Sequence, residues 1–146
     1  MEEQLIELET AKLAYDKGLR RRGQIIKEEQ TFKINLDGIK CNTCFNLQGN
    51  PTTPKYVNNN QQYVRPTQSL LQKWLREKHN IYVESYHDLT ADGKSIQYYT
   101  SWGFIQSKDI NGNKNVNGWY DEYNNWKTYE EALEFGLQEG LKLIQE

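Results

Sequence analysis

PTQSLLQKWLREKHNIYVESYHDLTADGKSIQYYTSWGFI, residues 66–105, is the stretch whose reading decides the fold. Pro66 precedes Thr67, whose hydroxyl suits a helix N-cap, and Leu70, Leu71, Trp74 and Leu75 then fall on one helical face. Arg76, Lys78 and His79 crowd the last turn, where cations complement the helix dipole, and Asn80 suits a left-handed exit. The period then changes from helical to alternating. Residues 81–86 read as a strand, Asp92-Gly93 as a turn, and residues 95–105 as a returning strand with Tyr98, Thr100, Trp102 and Phe104 on one side. The expectation is an antiparallel hairpin whose exposed face is rich in tyrosine.

Toward the C-terminus the chain turns polar over residues 108–118, with Asn111-Gly112 and Asn117-Gly118 as turn formers. Trp119, Tyr120, Tyr123 and Trp126 suit neither period, so a short edge strand or an ordered loop is expected there. Thr128 and Glu131 then form a capping box that opens a helix over residues 128–145. Its apolar stripe is Ala132, Leu133, Gly136, Leu137, Gly140, Leu141 and Ile144. A glycine in a helix interior costs about 1 kcal/mol against alanine, so Gly136 and Gly140 imply that another backbone comes close. That backbone belongs either to a sheet of the same chain or to a second copy.

Toward the N-terminus, Leu5, Leu8, Lys12, Tyr15 and Leu19 recur at helical spacing and predict a helix over residues 3–17, stopped at Gly18. Phe32, Ile34 and Leu36 alternate up to Asp37-Gly38, and Ile39, Cys41, Thr43 and Phe45 alternate beyond it, which predicts a hairpin over residues 31–45. Residues 49–65 carry Pro51, Pro54 and the run Asn58-Asn59-Asn60-Gln61-Gln62, and read as a polar surface loop with little apolar area to order it.

Together these pieces predict an α+β chain, a single domain over residues 1–146, with an antiparallel sheet built from β-hairpins and two or three helices packed on one face. Its parts are an N-terminal helix within residues 1–19, a hairpin at 30–46, the polar loop at 49–65 and a helix-strand-strand-helix core at 66–146. The expected core holds Leu70, Leu71, Trp74, Leu75, Ile81, Val83, Trp102, Phe104, Leu133, Leu137, Leu141 and Ile144. A chain of 146 residues buries roughly 68–70% of its unfolded surface, and one core is expected.

Eighteen basic against twenty acidic residues give a net charge of -2, which argues against a general nucleic-acid coat or a protein that clings to anionic membranes. No stretch of about 18 apolar residues occurs, so no membrane span is expected. The start MEEQLIELET lacks a basic region and an apolar run, and two cysteines are too few for a disulfide scaffold, so a cytoplasmic setting with reduced thiols is the expectation. The hydrophobic fraction is 36% and the aromatic fraction 12%, so aromatics must fill a large part of any core or interface.

No motif of high specificity sits on this framework, and no catalytic residue or cofactor is assigned. Cys41-Asn42-Thr43-Cys44 has the spacing of a zinc half-site, but zinc needs four ligands and only His79 and His87 remain as soft or nitrogen donors. Cys41 and Cys44 are therefore weak metal candidates, and a redox use would favour a helix N-terminus over the strand predicted for them. Two small, partly buried hydrophobes is the plainer reading. His79 and His87 stand beside no recognised nucleophile, which leaves a small hydrolase or nuclease as a minor alternative. No glycine-rich phosphate loop occurs. Arg20, Arg21 and Arg22 could contact phosphates, and Tyr82, Tyr86, Tyr99 and Trp119 could stack bases, so nucleotide or nucleic-acid sequestration is a second alternative. The same residues, with Tyr120, are the candidates for contact with a protein partner.

Glu9-Thr10-Ala11-Lys12-Leu13-Ala14, the segment from Pro66-Thr67-Gln68 to Glu77-Lys78-His79-Asn80-Ile81, and Tyr129-Glu130-Glu131-Ala132-Leu133-Glu134 resemble short hypothetical proteins of phages and integrated elements of gut bacteria. Residues 20–65 and 108–118 depart from that likeness. The resemblance carries no activity and no functional residues. It implies an accessory role in the cytoplasm of an infected or lysogenic bacterium. Residues 98–144 are also similar to HicB-type antitoxins in leading strands into a Thr-capped helix, a likeness of fold alone. The expectation for function is a non-catalytic binding protein, acting on a host or phage protein and forming a homo-oligomer.

Overall fold

Asn80, at φ 55°, turns the chain out of a helix directly into the first strand of the larger sheet, as its left-handed preference predicts. The computed structural model describes residues 3–28, 31–54, 62–108 and 114–144. In chain order its elements are α1 (Leu8–Asp16), β1 (Ile25–Glu28), β2 (Thr31–Ile34), β3 (Cys44–Phe45), β4 (Pro51–Thr52), β5 (Tyr63–Val64), α2 (Gln68–His79), β6 (Ile81–Leu89), β7 (Ile96–Lys108), β8 (Lys114–Trp126) and α3 (Tyr129–Lys142). The fold is α+β with antiparallel sheets, and the chain divides into two compact units, Met1–Leu70 and Leu71–Glu146. Buried apolar side chains occur in both units.

In the second unit β6, β7 and β8 form an antiparallel meander in that order. Ile81 pairs with Phe104 and Leu89 with Ile96, and Gly93 takes φ 71° in the connecting turn. Asp92 tightens that turn by accepting from the Lys94 amide at 3.0 Å. α3 covers the face that carries Ile81, Val83, Thr100 and Trp102. Its start follows the capping box: Thr128 Oγ1 accepts from the Glu131 amide at 3.1 Å, while the Glu131 carboxylate accepts from the Lys127 amide at 2.9 Å. The two glycines of the stripe are answered within the same chain. A Cβ on Gly136 would overlap the Thr100 hydroxyl, and one on Gly140 would lie 2.7 Å from Val83 Cγ2. That close approach of helix to sheet removes the stripe as an argument for a second copy.

Nine of the twelve expected core residues are buried, while Leu70, Trp74 and Phe104 are half-buried. β8 is the element the sequence undersold, because it runs for thirteen residues instead of a short edge. Its register with β7 shifts between Tyr98 and Tyr99 and again between Trp102 and Phe104, and these irregularities break the alternation of Trp119, Tyr120, Tyr123 and Trp126. Residues 109–113, including Asn111-Gly112, lie outside the described residues.

The first unit departs further. α1 begins at Leu8, not residue 3, because residues 4–6 pair with residues 66–68: Ile6 N donates to Pro66 O at 3.1 Å and Gln68 N to Gln4 O at 2.8 Å. Its buried face is Thr10, Ala11 and Ala14, with Ile6 and Leu19 beside it, whereas Lys12 and Tyr15 are half-buried. Gly18 exits at φ 103°, as expected.

The hairpin expected over residues 31–45 does not form. β2 pairs with β1, and β3 pairs with β4 and β5 instead. A type I′ turn needs positive φ at both central residues, and neither Asp37 nor Gly38 has it. Gly38 serves close approach instead: a Cβ there would sit 2.6 Å from the Arg20 carbonyl. The polar loop at 49–65 likewise contains the short strands β4 and β5. Its residues 55–61, with Asn58, Asn59, Asn60 and Gln61, lie outside the described residues.

Candidate functional site

Alternation along β6 sends Ile81, Val83 and Ser85 toward α3 and Tyr82, Glu84, Tyr86 and Asp88 to the opposite face. The register then aligns two rows across that outer face. Tyr86 pairs with Tyr99 and Tyr99 with Tyr123; Glu84 pairs with Ser101 and Ser101 with Asp121. The tyrosines form a continuous stack, with ring centroids 5.1 Å apart for Tyr86 and Tyr99 and 4.6 Å apart for Tyr99 and Tyr123. Tyr86 is 40% exposed and Tyr123 56%, so the stack is open to solvent.

The second row is anionic. Asp121 accepts a short hydrogen bond from the Ser101 hydroxyl, which fixes its carboxylate beside the stack. Residues 81–89, 96–104 and 119–126 contain no lysine or arginine, against Glu84, Asp88, Asp121 and Glu122. The phenols respond to this field. Burial, then Glu84, raises the Tyr86 pKa above its ordinary value, and burial, then Tyr123, raises that of Tyr99. Both stay neutral hydrogen-bond donors with electron-rich faces.

The other aromatic candidates divide between roles. Tyr82 is half-buried on the outer face opposite Gly103. Tyr120, 50% exposed, stacks on Trp102 at 5.9 Å, and Trp102 meets Phe135 of α3 edge-on, so Tyr120 shields the helix side of the sheet. Trp119 is 37% exposed. Tyr123 was missed as a site residue because β-bulges hide its register, although alternation back from Tyr99 and Tyr86 signals a tyrosine face.

The arginine run belongs to the first unit and holds backbone together. Arg20 lies over the Tyr15 ring at 3.6 Å and donates to the Tyr15 carbonyl at 2.7 Å. Arg22 donates to the Leu36 carbonyl at 3.1 Å. Arg21 is buried and donates to the Arg22 carbonyl at 3.2 Å. Cys41 is half-buried and Cys44 buried. No group of three His, Cys, Asp or Glu side chains able to hold a metal occurs among the described residues.

The histidines do not assemble a catalytic site among the described residues. His79 packs edge-on against Trp74 at 4.7 Å and lines a cavity of about 330 Å³ with Lys78, Asn80, Ile81, Phe104, Leu143 and Ile144, none of them acidic. His87 is exposed near the far end of β6, and roughly 20 Å of extended strand separates it from the start of β6 beside His79. No helix among the described residues is long and apolar enough to cross a membrane. No protein-family model, curated protein or solved structure matches the chain.

Proposed function

We propose that the chain is a non-catalytic binding protein that uses the outer face of its β6–β7–β8 sheet to hold a protein partner presenting arginine or lysine side chains. The observation that carries this reading is the exposed Tyr86–Tyr99–Tyr123 stack flanked by Glu84, Asp88 and Asp121. The core lies on the other face, against α3, so fold stability does not require three stacked tyrosines in solvent. Their π faces attract cations, at about 0.5–1 kcal/mol for each exposed contact, and carboxylates beside them add charge-assisted hydrogen bonds. The same carboxylates disfavour the phosphates of a nucleic acid stacked on these rings. The setting is the cytoplasm of a bacterium that carries a phage or an integrated element, in line with the resemblance of residues 9–14, 66–81 and 129–134 to proteins of such elements.

The test is fluorescence anisotropy with labelled peptides of equal length, one arginine-rich, one glutamate-rich. The arginine-rich peptide is expected to bind, several-fold more weakly to Tyr99→Ala and to Asp121→Asn, and unchanged to Glu9→Gln in α1. Equal affinity for all four proteins contradicts the reading.

A further inference from the structure

The sheet of the second unit ends in two unlike edges, β6 and β8. Consecutive carbonyls of a strand point to opposite sides, so one assigned direction fixes the rest of an unbroken antiparallel ladder. The Thr100 hydroxyl of β7 donates to Glu84 O at 2.9 Å, so that carbonyl of β6 faces β7. Val83 O accordingly points away from β7, where it accepts from Gln72 Nε2 of α2 at 2.8 Å. The β6 edge is thus met by a helix.

The same parity carries across the sheet. Glu84–Ser101 and Tyr86–Tyr99 are the hydrogen-bonded pairs, so Thr100 and Trp102 turn their backbone groups toward Glu122 and Tyr120 of β8. No register shift falls between Tyr99 and Trp102, so the alternation holds over these four residues. Asp121 and Tyr123 are left with N–H and C=O groups directed outward from β8, which has no strand on that side among the described residues. The side chains agree with this assignment, because non-hydrogen-bonded pairs bring them closer. Tyr99 and Tyr123 lie 4.6 Å apart against 5.1 Å for Tyr86 and Tyr99, and Ser101–Asp121 carries the short side-chain hydrogen bond.

An open edge of this kind is a template for a further strand. Such a strand would run about 4.8 Å beyond β8, close to the spacing at which the tyrosine row already repeats. Its side chains opposite Tyr123 and Asp121 would add one member to the tyrosine row and one to the anionic row. A second copy does not suit the edge: residues 119–126 carry Asp121 and Glu122 and no cation, so β8 laid on β8 sets like charges across the strands. A basic side chain opposite Asp121 instead meets a carboxylate already fixed by Ser101, and one two residues along lies beside the exposed Tyr123 ring.

We propose that a segment of the protein partner docks as a fourth, antiparallel strand on β8, with basic residues at alternate positions facing Asp121 and Tyr123. This rests on the reading of the tyrosine face as the binding surface, and adds that the partner is held through its backbone as well as its side chains. Asp121 and Tyr123 exchange ladder hydrogen bonds with the residues opposite them, which fixes register, while the carboxylate and the rings select the side chains.

The test sets three synthetic peptides against the intact chain, all with arginine at every second position: one unmodified, one N-methylated at each arginine, and one N-methylated at each intervening residue. Fluorescence anisotropy reads the affinities. The unmodified peptide is expected to bind, methylation at the arginines to weaken it about tenfold or more, and methylation between them to change it less than about threefold. In the complex, hydrogen exchange is expected to slow at the Asp121 and Tyr123 amides and not at Tyr120 and Glu122, which already bond to β7. Equal affinities of the two methylated peptides, or the reverse order, overturn the fourth strand; if Asp121→Asn still weakens the unmodified peptide, the face itself stands as the binding surface. An unmodified peptide that does not bind overturns both readings.

Discussion

The two units of this chain are held by different means. In the second, a helix lays Leu133, Leu137 and Leu141 onto Ile81, Val83 and Trp102, and among its described residues the buried polar groups apart from Glu134 are the small hydroxyls of Ser85, Thr100 and Ser101. Ser85 donates to Tyr129 O at 3.0 Å and Thr100 to Glu84 O at 2.9 Å. In the first, the strands β3, β4 and β5 are two residues long, and Arg21, Gln24 and Gln62 are buried among irregular backbone. Periodic apolar burial is written into sequence as a period. Hydrogen bonding of long polar side chains to irregular carbonyls and amides is not.

Leu137→Ala is expected to break this contrast most severely. Leu137 is fully buried between α3 and the sheet, and such truncations cost about 2–5 kcal/mol. Chemical denaturation should show that loss; a cost below about 1 kcal/mol would mean that apolar packing does not dominate the second unit.

Gln24→Met sharpens the other side of the comparison. The volume is nearly kept, but the Arg21 amide loses its buried acceptor, a cost of about 1–3 kcal/mol. Hydrogen exchange should quicken most at the Arg21 amide and around Ile39. Unchanged exchange there would show that the side chain is not what holds the turn.

The smallest effect concerns acidification. Burial lowers the His79 pKa below 6.5, so the fold prefers the neutral ring. Below pH 6.5 the unfolded chain takes up a proton that the folded chain resists, so stability from this group is present above that value and lost as pH falls toward the folded pKa. Thermal melts from pH 7 to pH 5 should fall less steeply for His79→Gln than for the wild type. Parallel slopes would remove His79 as a contributor.

This contrast also explains what could be read from the chain alone. The Thr67 and Thr128 caps, the Asn80 exit, the turn at Gly93 and nine residues of the core followed from spacing, because each rests on neighbours within a few positions. Asp37-Gly38 misled, since a glycine needed for close approach to Arg20 looks in sequence like one needed for a turn. Pairings such as Ile6 with Pro66 and Thr43 with Arg65 join positions far apart in the chain that no local period connects. At the candidate site, Tyr82, Tyr86 and Tyr99 were legible from alternation, but Tyr123 and Asp121 required the bulged register of β8. Cys41 and Cys44 were visible as a pair, whereas the burial of Arg21 was hidden in what reads as a basic run.

The most direct measurement of the central claim is an NMR titration of the labelled chain with an arginine-rich peptide, followed at backbone amides and tyrosine rings. The account predicts that the largest shifts fall on Glu84, Tyr86, Tyr99, Ser101, Asp121 and Tyr123, on adjacent strands of one face. Shifts centred on α3 or on residues 3–28, or none at peptide excess, would contradict it.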